Sequence, residues 1–214
     1  MKVNHIRRAA VAVSAAVVLP LALSACSSDS KDSASGSTAS SAKASAPASA
    51  DDSMNMDKPF GPGCASVPKD GAGSFDGMAK DPVATAASHN PALSTLVTAV
   101  KKAGLVDTLN NAQNITVFAP TNDAFAKIPK ADLDKLLANK AELTKVLTYH
   151  VVGKKVTPKQ LENGSFDTLE KGKLTTSGSD MNYTVNDSSK VVCGNVPTAN
   201  ATVYIIDTVL MPPK

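Results

Sequence analysis

The sequence predicts an α+β domain in which a helical half precedes a half built from short strands. Apolar residues recur at helical spacing between residues 83 and 147. From residue 151 onward, short apolar runs alternate with Gly, Asn, Asp and Ser, which is the pattern of strands joined by turns. Because the two kinds of element are segregated along the chain, we expect an α+β fold rather than a doubly wound parallel sheet.

The helical half opens with two helix starts that are marked by proline. Asp81 precedes Pro82 and Asn90 precedes Pro91, and a short polar residue before proline is typical of a helix N-terminus. An apolar stripe at spacing i, i+3, i+4 and i+7 follows, formed by Leu93, Leu96, Val97 and Val100. This stripe predicts an amphipathic helix that ends near Gly104.

The centre of the domain is predicted to contain one strand followed by three helices. Residues 114–119 are expected to form the strand because β-branched and aromatic side chains supply its bulk, and Pro120 ends it. The hydroxyl of Thr121 suits the N-cap of the short helix that follows. The apolar spacing within residues 133–137 and 143–147 predicts two further helices.

The second half is predicted to contain six strands and one helical turn, which begins at Thr157-Pro158. The expected strands are residues 151–152, 166–169, 173–176, 181–186, 190–193 and 201–210. The last of these is almost continuously apolar, so we expect it to lie in the core.

Residues 1–25 have the features of a signal peptide. Lys2, Arg7 and Arg8 precede an apolar run at 9–23, and these 15 residues are fewer than the roughly 20 that a bilayer-spanning helix needs. The run ends in Leu-Ser-Ala-Cys, which resembles the lipobox of bacterial lipoprotein precursors. The resemblance implies that a diacylglycerol is attached to the sulfur of Cys26 and that the chain is cut just before it. The alternative is a secreted protein that is cut nearby.

The rest of the chain divides into a tether and one domain. Residues 26–59 carry the lipid anchor and then mostly Ser, Ala, Asp and Lys, with little to bury, so we expect a disordered tether. The two acyl chains of a diacyl group would hold the protein on the membrane, where a single chain anchors only marginally. Residues 60–214 suit one folded domain. The expected location is the outer face of the bacterial cell membrane, with partial shedding.

The charge balance argues against nucleic-acid binding. The whole chain has 22 basic and 19 acidic residues, a formal charge of +3. Lys2, Arg7 and Arg8 all lie in the predicted signal peptide, which contains no acid, so 19 basic and 19 acidic residues remain after its removal. A neutral mature chain lacks the basic excess that a nucleic-acid-binding face requires.

The three cysteines predict one disulfide. Lipidation of Cys26 leaves Cys64 and Cys193, and thiols oxidise readily outside the cell membrane. We therefore predict a bond between Cys64 and Cys193, with two free buried cysteines as the alternative. A zinc site is disfavoured because neither cysteine has a second cysteine or a histidine at ligand spacing.

The sequence carries little that points to catalysis. Only His89 and His150 remain as histidines after the predicted cleavage. The chain contains no Gly-x-Ser-x-Gly elbow, no Gly-rich phosphate loop, no His-Glu-x-x-His and no Cys-x-x-Cys. We therefore expect a protein that is not an enzyme and that uses no cofactor and no metal.

Three blocks of the sequence resemble the fasciclin domain. They are ITVFAPTNDAFAKI at 115–128, LTYHVVGKKVT at 147–157 and ATVYIIDTVLMPP at 201–213. Their order and spacing fit that family over nearly all of residues 75–212. Other stretches are similar to the mycobacterial and actinobacterial fasciclin antigens, a group with secreted and lipid-anchored members. The resemblance implies a wedge of short β-strands with several helices packed over it, and a disulfide from the N-terminal segment to a late strand.

The same resemblance implies a binding surface. Animal fasciclin domains are adhesive, and their first block and Tyr-His region have been linked to receptor contact. By resemblance, Asn122, Asp123, Tyr149 and His150 are candidate partner-binding residues. The alternative is that all four belong to the scaffold, as helix caps, turn hydrogen bonds and a core histidine with satisfied nitrogens.

Two functions remain open from the sequence. The first, favoured by the resemblance, is a monomeric adhesion or protein-interaction module at the cell surface that contacts an unidentified surface or matrix protein. The alternative is an envelope carrier or sensor of a small apolar or carbohydrate ligand, with its pocket between sheet and helices. The carrier hypothesis requires a cavity larger than roughly 300 Å³.

Overall fold

The computed structural model describes residues 58–213. The predicted signal peptide, Cys26 and nearly all of the predicted tether lie outside the described residues. Within the described part of the chain, no helix has both the length and the apolar character needed to cross a bilayer.

Seven α-helices and three short 3₁₀ helices are found within residues 58–213. The α-helices are α1 (Phe75–Met78), α2 (Val83–Ser88), α3 (Ser94–Ala103), α4 (Val106–Asn111), α5 (Asn122–Ala126), α6 (Lys130–Ala138) and α7 (Lys140–Tyr149). The 3₁₀ helices are Pro62–Ser66, Pro91–Leu93 and Pro158–Leu161. The predicted end of α3 is confirmed, since Gly104 caps it at φ 73°, a left-handed conformation that glycine adopts without a steric cost.

Seven strands form one mixed sheet in the same part of the chain. They are β1 (Ile115–Pro120), β2 (Val151–Val152), β3 (Asn163–Asp167), β4 (Lys173–Ser179), β5 (Asn182–Val185), β6 (Ser189–Pro197) and β7 (Ala201–Ile206). Their order is β2-β1-β7-β6-β5-β4-β3, with β1 and β7 parallel and the other pairs antiparallel. An isolated bridge between Val152 and Thr168 brings the two edges of the sheet together. The α+β class is confirmed, with helices packed on a strongly curved sheet.

The central strands β1 and β7 are buried on both faces. Their parallel register pairs Ile115 with Ala201 and Pro120 with Ile206. Successive side chains point to opposite faces of a strand, so alternate residues enter two different cores. The helix-facing core contains Ile115, Val117, Ala119, Ala201, Val203 and Ile205. The core within the curve of the sheet contains Phe118, Tyr204 and Ile206, with the rings of Phe118 and Tyr204 stacked at 5.7 Å.

Several element boundaries differ from the predicted ones. The structure begins β3 at Asn163, three residues earlier than expected, because Asn163 pairs with Ser177 of β4 despite its poor strand propensity. It extends β6 to Pro197 through two irregularities in its pairing with β7. It ends β7 at Ile206 rather than at residue 210. Helix α1 and the 3₁₀ helix Pro62–Ser66 were not expected from the sequence.

A disulfide joins the start of the domain to the sheet. The structure links Cys64 and Cys193, the two cysteines that the sequence analysis pairs, across 129 residues and with Cα atoms 4.8 Å apart. Next to it, the backbones of Phe60 and Gly194 exchange two hydrogen bonds of 3.1 and 2.8 Å. The segment at 60–67 is thereby fixed along β6.

Candidate functional site

A surface cleft of about 470 Å³ lies beside the N-terminus of α5, and we call it the Asp123 cleft. It contains two of the four side chains that the sequence analysis proposed for partner binding, Asn122 and Asp123. Its lining residues come from the N-terminal segment, the 3₁₀ helix before α3, α5, β6 and β7: Gly63, Ser66, Val67, Asn90, Ala92, Thr121, Asn122, Asp123, Lys127, Val192, Ile205 and Asp207. Its volume falls within the range of small-molecule sites.

The N-terminus of α5 is held in place by two side chains. Thr121 caps the helix as predicted, since its Oγ1 accepts a hydrogen bond from the backbone N–H of Ala124 at 3.2 Å. Asn122 joins α5 to α3: its Oδ1 accepts from the N–H of Thr95 at 2.9 Å, and its Nδ2 donates to the carbonyl of Pro91 at 2.9 Å. The amide of Asn122 is therefore used to position α5, which favours the scaffold interpretation for this residue.

Asp123 presents a free carboxylate at the cleft. It lies in the first turn of α5 and is exposed, and its carboxylate has no hydrogen-bonding or ionic partner among residues 58–213. The positive end of the helix dipole favours a negative charge at this position. Of the four predicted residues, Asp123 is the one whose functional group is both accessible and unpaired.

An ion pair forms another part of the cleft wall. The ammonium group of Lys127, on the residue after α5, lies 3.2 Å from Oδ2 of Asp207 and donates to Oγ1 of Thr208 at 3.2 Å. Burial by itself would raise the pKa of Asp207, but hydrogen bonds from the Lys190 N–H, from Lys127 and from Thr208 hold that pKa below its ordinary value. Asp207 therefore stays ionised at neutral pH, and with Asp123 it gives the cleft two carboxylates against one ammonium.

A further part of the cleft wall is the segment that the disulfide holds, which contributes Gly63, Ser66 and Val67. Gly61 has φ 105°, which disfavours any residue with a side chain, and a Cβ added there would lie 2.5 Å from the carbonyl oxygen of Val192. At Gly63 an added Cβ would lie 2.9 Å from the same oxygen. The two glycines let the backbone of 61–63 lie directly on β6, and this contact brings Gly63 and Val192 together in the lining of the cleft.

The structure places Tyr149 inside the domain rather than on a binding surface. Its side chain is 2% exposed. Its hydroxyl donates to the carbonyl of Lys173 at 2.8 Å and accepts from Nδ2 of Asn186 at 2.9 Å. Asn186 adopts a positive φ of 49° in the turn after β5. Tyr149 thus fastens α7 to the β4–β5 hairpin, and its burial leaves nothing for a partner to contact.

His150 is likewise interior, which corrects its assignment to a partner-binding surface. It is 2% exposed, Nδ1 lies 2.7 Å from the carbonyl oxygen of Val146, and Nε2 lies 3.0 Å from the backbone nitrogen of Leu210. The Leu210 N–H can only donate, so Nε2 accepts and Nδ1 carries the proton. Burial lowers the pKa of His150 to about 4, against a smaller opposing effect of the Val146 hydrogen bond. The neutral ring connects Val146 to Leu210 through its two hydrogen bonds, and neither nitrogen is available as a base.

Several members of the Asp123 cleft were not foreseen from the sequence. Lys127 and Asp207 are separated by 80 residues, and no local pattern links them. Gly63 and Ser66 lie in the cleft wall because the disulfide between Cys64 and Cys193 holds their segment against β6. Within residues 58–213, no group of three or more His, Cys, Asp or Glu side chains is arranged to hold a metal ion.

Comparison with known proteins gives consistent matches. Residues 91–212 match the Fasciclin domain family. The chain is 49% identical over 162 residues to the cell surface glycolipoprotein MPB83 of Mycobacterium bovis, covering 72% of each chain. It is 48% identical over 161 residues to the immunogenic protein MPB70 of the same species, covering 72% of this chain and 82% of that one. It is also 43% identical over 129 residues to protein sll1483 of Synechocystis, covering 59% and 71%.

A solved structure shows the same fold. It is a pair of FAS1 domains from the insect cell adhesion molecule fasciclin I, matched with a TM-score of 0.52 and 21% sequence identity. The match covers 63% of this chain and 52% of that chain, so it spans about half the length of the solved pair. At this level of identity the likeness concerns the fold alone.

Proposed function

The chain belongs to the fasciclin family, and we propose that it is a non-catalytic adhesion or protein-interaction module on the outer face of a bacterial cell membrane. The relatives support this assignment, since their names describe a cell surface glycolipoprotein and an immunogenic protein rather than a reaction. The family match over 91–212 supports the domain assignment.

The anchor in this proposal is a diacylglycerol on the sulfur of Cys26. It is supported by the basic N-terminus, the short apolar run and the Leu-Ser-Ala-Cys sequence at 23–26. Residues 27–59 have the Ser- and Ala-rich composition of a linker, and we extend the proposal to them as the tether between the membrane and the domain. A coil of this composition has a root-mean-square reach of roughly 30 Å, which lets the domain reach beyond the lipid surface.

The contact surface in this proposal is the Asp123 cleft. The observation that carries it is the unpaired, exposed carboxylate of Asp123 beside a cleft whose wall is held by a disulfide. A wall that is already rigid has little conformational entropy to lose when a partner binds. With Asp207 also in the lining of the cleft, the surface suits a protein partner that presents basic or hydrogen-bond-donating side chains.

An adhesion assay with matched variants tests the proposal. Beads carrying the full chain are allowed to settle on intact cells of the source bacterium and on matrix-coated surfaces, and retention under flow is measured. We expect Asp123→Asn to reduce retention several-fold. The control is Asp132→Asn, which also removes an exposed first-turn acid, from α6. Equal retention of the two variants, or no retention of the wild-type chain on any surface, would refute the proposed surface.

A further inference from the structure

An apolar cavity lies between the helices and the central strands. Its volume is about 210 Å³. Helices α2, α3 and α4 form one side and strands β1 and β7 form the other, with side chains that include Val83, Leu96, Val100, Leu109, Val117 and Ile205. The cavity is smaller than the roughly 300 Å³ at which sites for drug-sized ligands begin. It therefore does not meet the size that the carrier hypothesis requires of a pocket between sheet and helices. It is larger than the apolar cavities of about 150 Å³ that take up benzene.

One buried polar group in the wall of this cavity is unpaired. Asn90 is 1% exposed and lines both the apolar cavity and the Asp123 cleft. Its Oδ1 accepts the N–H of Ala92 at 3.0 Å and so caps the 3₁₀ helix Pro91–Leu93. This bond fixes which end of the amide is the oxygen. Its Nδ2 has no hydrogen-bond partner among residues 58–213. A buried donor without a partner is unfavourable, and an acceptor from a ligand would remove that penalty.

The charges around the cavity favour a neutral ligand. His150 contributes to the wall, but its ring is uncharged at neutral pH and both of its nitrogens are already engaged. Apart from His150, the part of the lining formed by residues 58–213 contains one ionisable side chain, Lys101, which is exposed in the last turn of α3. An ionised group beside Asn90 would lose its hydration without gaining a buried counter-charge. A carbonyl, ether or hydroxyl oxygen would bring no such cost.

We propose that this cavity binds a small neutral molecule that is mainly apolar and carries one hydrogen-bond-accepting oxygen. Its apolar part, of about the size of one aromatic ring with one or two further carbons, lies between α2–α4 and the β1–β7 pair. Its oxygen accepts a hydrogen bond from Nδ2 of Asn90. This site adjoins the Asp123 cleft, since Asn90 and Ile205 line both, but the proposal does not depend on the adhesive function.

Two probes of nearly equal shape test the hydrogen bond directly. Acetophenone has a carbonyl oxygen where ethylbenzene has only hydrogens, and both fit the size of the cavity. Binding to the full chain is followed by NMR, from the shifts of backbone amides during titration. We expect acetophenone to bind about fivefold more tightly than ethylbenzene, the ratio that one net hydrogen bond supplies. The shifted amides should lie in α2, α3 and β7.

Two variants locate the site. In Asn90→Ala the amide donor is removed, so the preference for acetophenone should fall below twofold while ethylbenzene binds nearly as before. The 3₁₀ helix Pro91–Leu93 loses its side-chain cap in this variant, so its folding is checked from the NMR spectrum without probe. In Ala86→Leu a larger side chain occupies the cavity, because Ala86 is 1% exposed and lines it. Binding of both probes should then be lost, and a helix-forming residue is retained in α2.

Other outcomes would overturn the proposal. If ethylbenzene binds the wild-type chain as tightly as acetophenone does, Asn90 does not donate a hydrogen bond to the ligand. Shifts confined to Asp123 and Lys127 would place the probe in the cleft instead. Tightest binding by benzoate, with loss of that binding in Lys101→Ala, would show that the site recognises a carboxylate at the rim. Absence of binding by either neutral probe, or unchanged binding in Ala86→Leu, would refute the cavity as a ligand site.

Discussion

The imidazole Nε2 of His150 accepts a hydrogen bond of 3.0 Å from the backbone N–H of Leu210, across 60 residues of sequence. On the other side of the ring, Nδ1 donates to the carbonyl of Val146 at 2.7 Å. The ring therefore ties the last turn of α7 to the segment that follows β7. The Tyr-His pair of this domain thus stabilises the fold from within, and it leaves partner contact to other residues.

Protonation of His150 should destabilise the domain. Its pKa falls from 6.5 in the unfolded chain to about 4 in the folded one. Between these values the unfolded state binds more protons than the folded state, so the free energy of unfolding rises with pH. The contribution of the neutral His150 ring to stability is fully present above pH 6.5 and is lost as the pH falls toward 4. We expect this one group to make the free energy of unfolding, measured in urea, roughly 2 kcal/mol lower at pH 5 than at pH 7.

Two histidine variants separate this effect from other titrations. In His150→Gln the difference between pH 5 and pH 7 should largely disappear, although the variant is less stable throughout. His89→Gln should keep it, since His89 lies on the surface, 3.3 Å from Asp81. The same pH dependence in His150→Gln as in the wild type would show that His150 does not control it.

Removing the hydroxyl of Tyr149 should weaken the junction between α7 and the β4–β5 hairpin. The variant Tyr149→Phe leaves the Lys173 carbonyl and the Asn186 amide without their shared partner. We expect a loss of about 1–3 kcal/mol in chemical denaturation, with bead retention unchanged. Tyr204→Phe is the comparison, because that hydroxyl makes a single hydrogen bond, to Val156 at 2.9 Å. A loss of bead retention in a fully folded Tyr149→Phe would restore this residue to the contact surface.

Reduction of the Cys64–Cys193 bond should lower the melting temperature. The bond spans 129 residues, and a loop of this length is worth at most roughly 4–5 kcal/mol by chain entropy. Cys64→Ser and Cys193→Ser each break the same bond, so the double variant should be little less stable than either single variant. Differential scanning calorimetry with and without reductant measures this. Unchanged melting on reduction, or additive single variants, would contradict a stabilising bond.

The proposed anchor predicts a specific covalent mass. Protein isolated from cell membranes should begin at Cys26 and carry a diacylglycerol, as read by mass spectrometry of the N-terminal peptide. The variant Cys26→Ala should leave the membrane fraction or retain its uncleaved signal peptide. An unmodified Cys26 in membrane-bound wild-type protein would overturn the anchor and leave the secreted alternative.

Local patterns of the sequence predicted those parts of the fold that local physics controls. The stripe of α3 and the cap of α5 depend on residues a few positions apart, so their periodicity and spacing are visible in the sequence. The start of β3 is different. Asn163, Gly164 and Ser165 have poor strand propensity, and they become a strand because β4 offers a partner edge. Such pairing depends on tertiary structure and leaves no local signal.

The candidate site was predictable only in part for the same reason. The sequence places Asp123 in the first turn of a helix, where its charge and exposure follow from local geometry. It does not decide whether Tyr149 and His150 point inward, because an aromatic and a histidine at the end of a helix suit the core and a surface equally well. The ion pair of Lys127 with Asp207 and the unpaired amide of Asn90 arise where distant segments meet.

The proposed function requires that the Asp123 cleft is the face that contacts a partner on intact cells. A photo-crosslinking residue placed at Ser66, which is exposed and lines the cleft, tests it against the same residue placed at Ser179, which is exposed on β4. After illumination of living cells, adducts are separated by mass and identified. We predict a discrete adduct from position 66 that is lost in Asp123→Asn, and none from position 179. Adducts from position 179 alone, or adducts from position 66 that persist in Asp123→Asn, would contradict it.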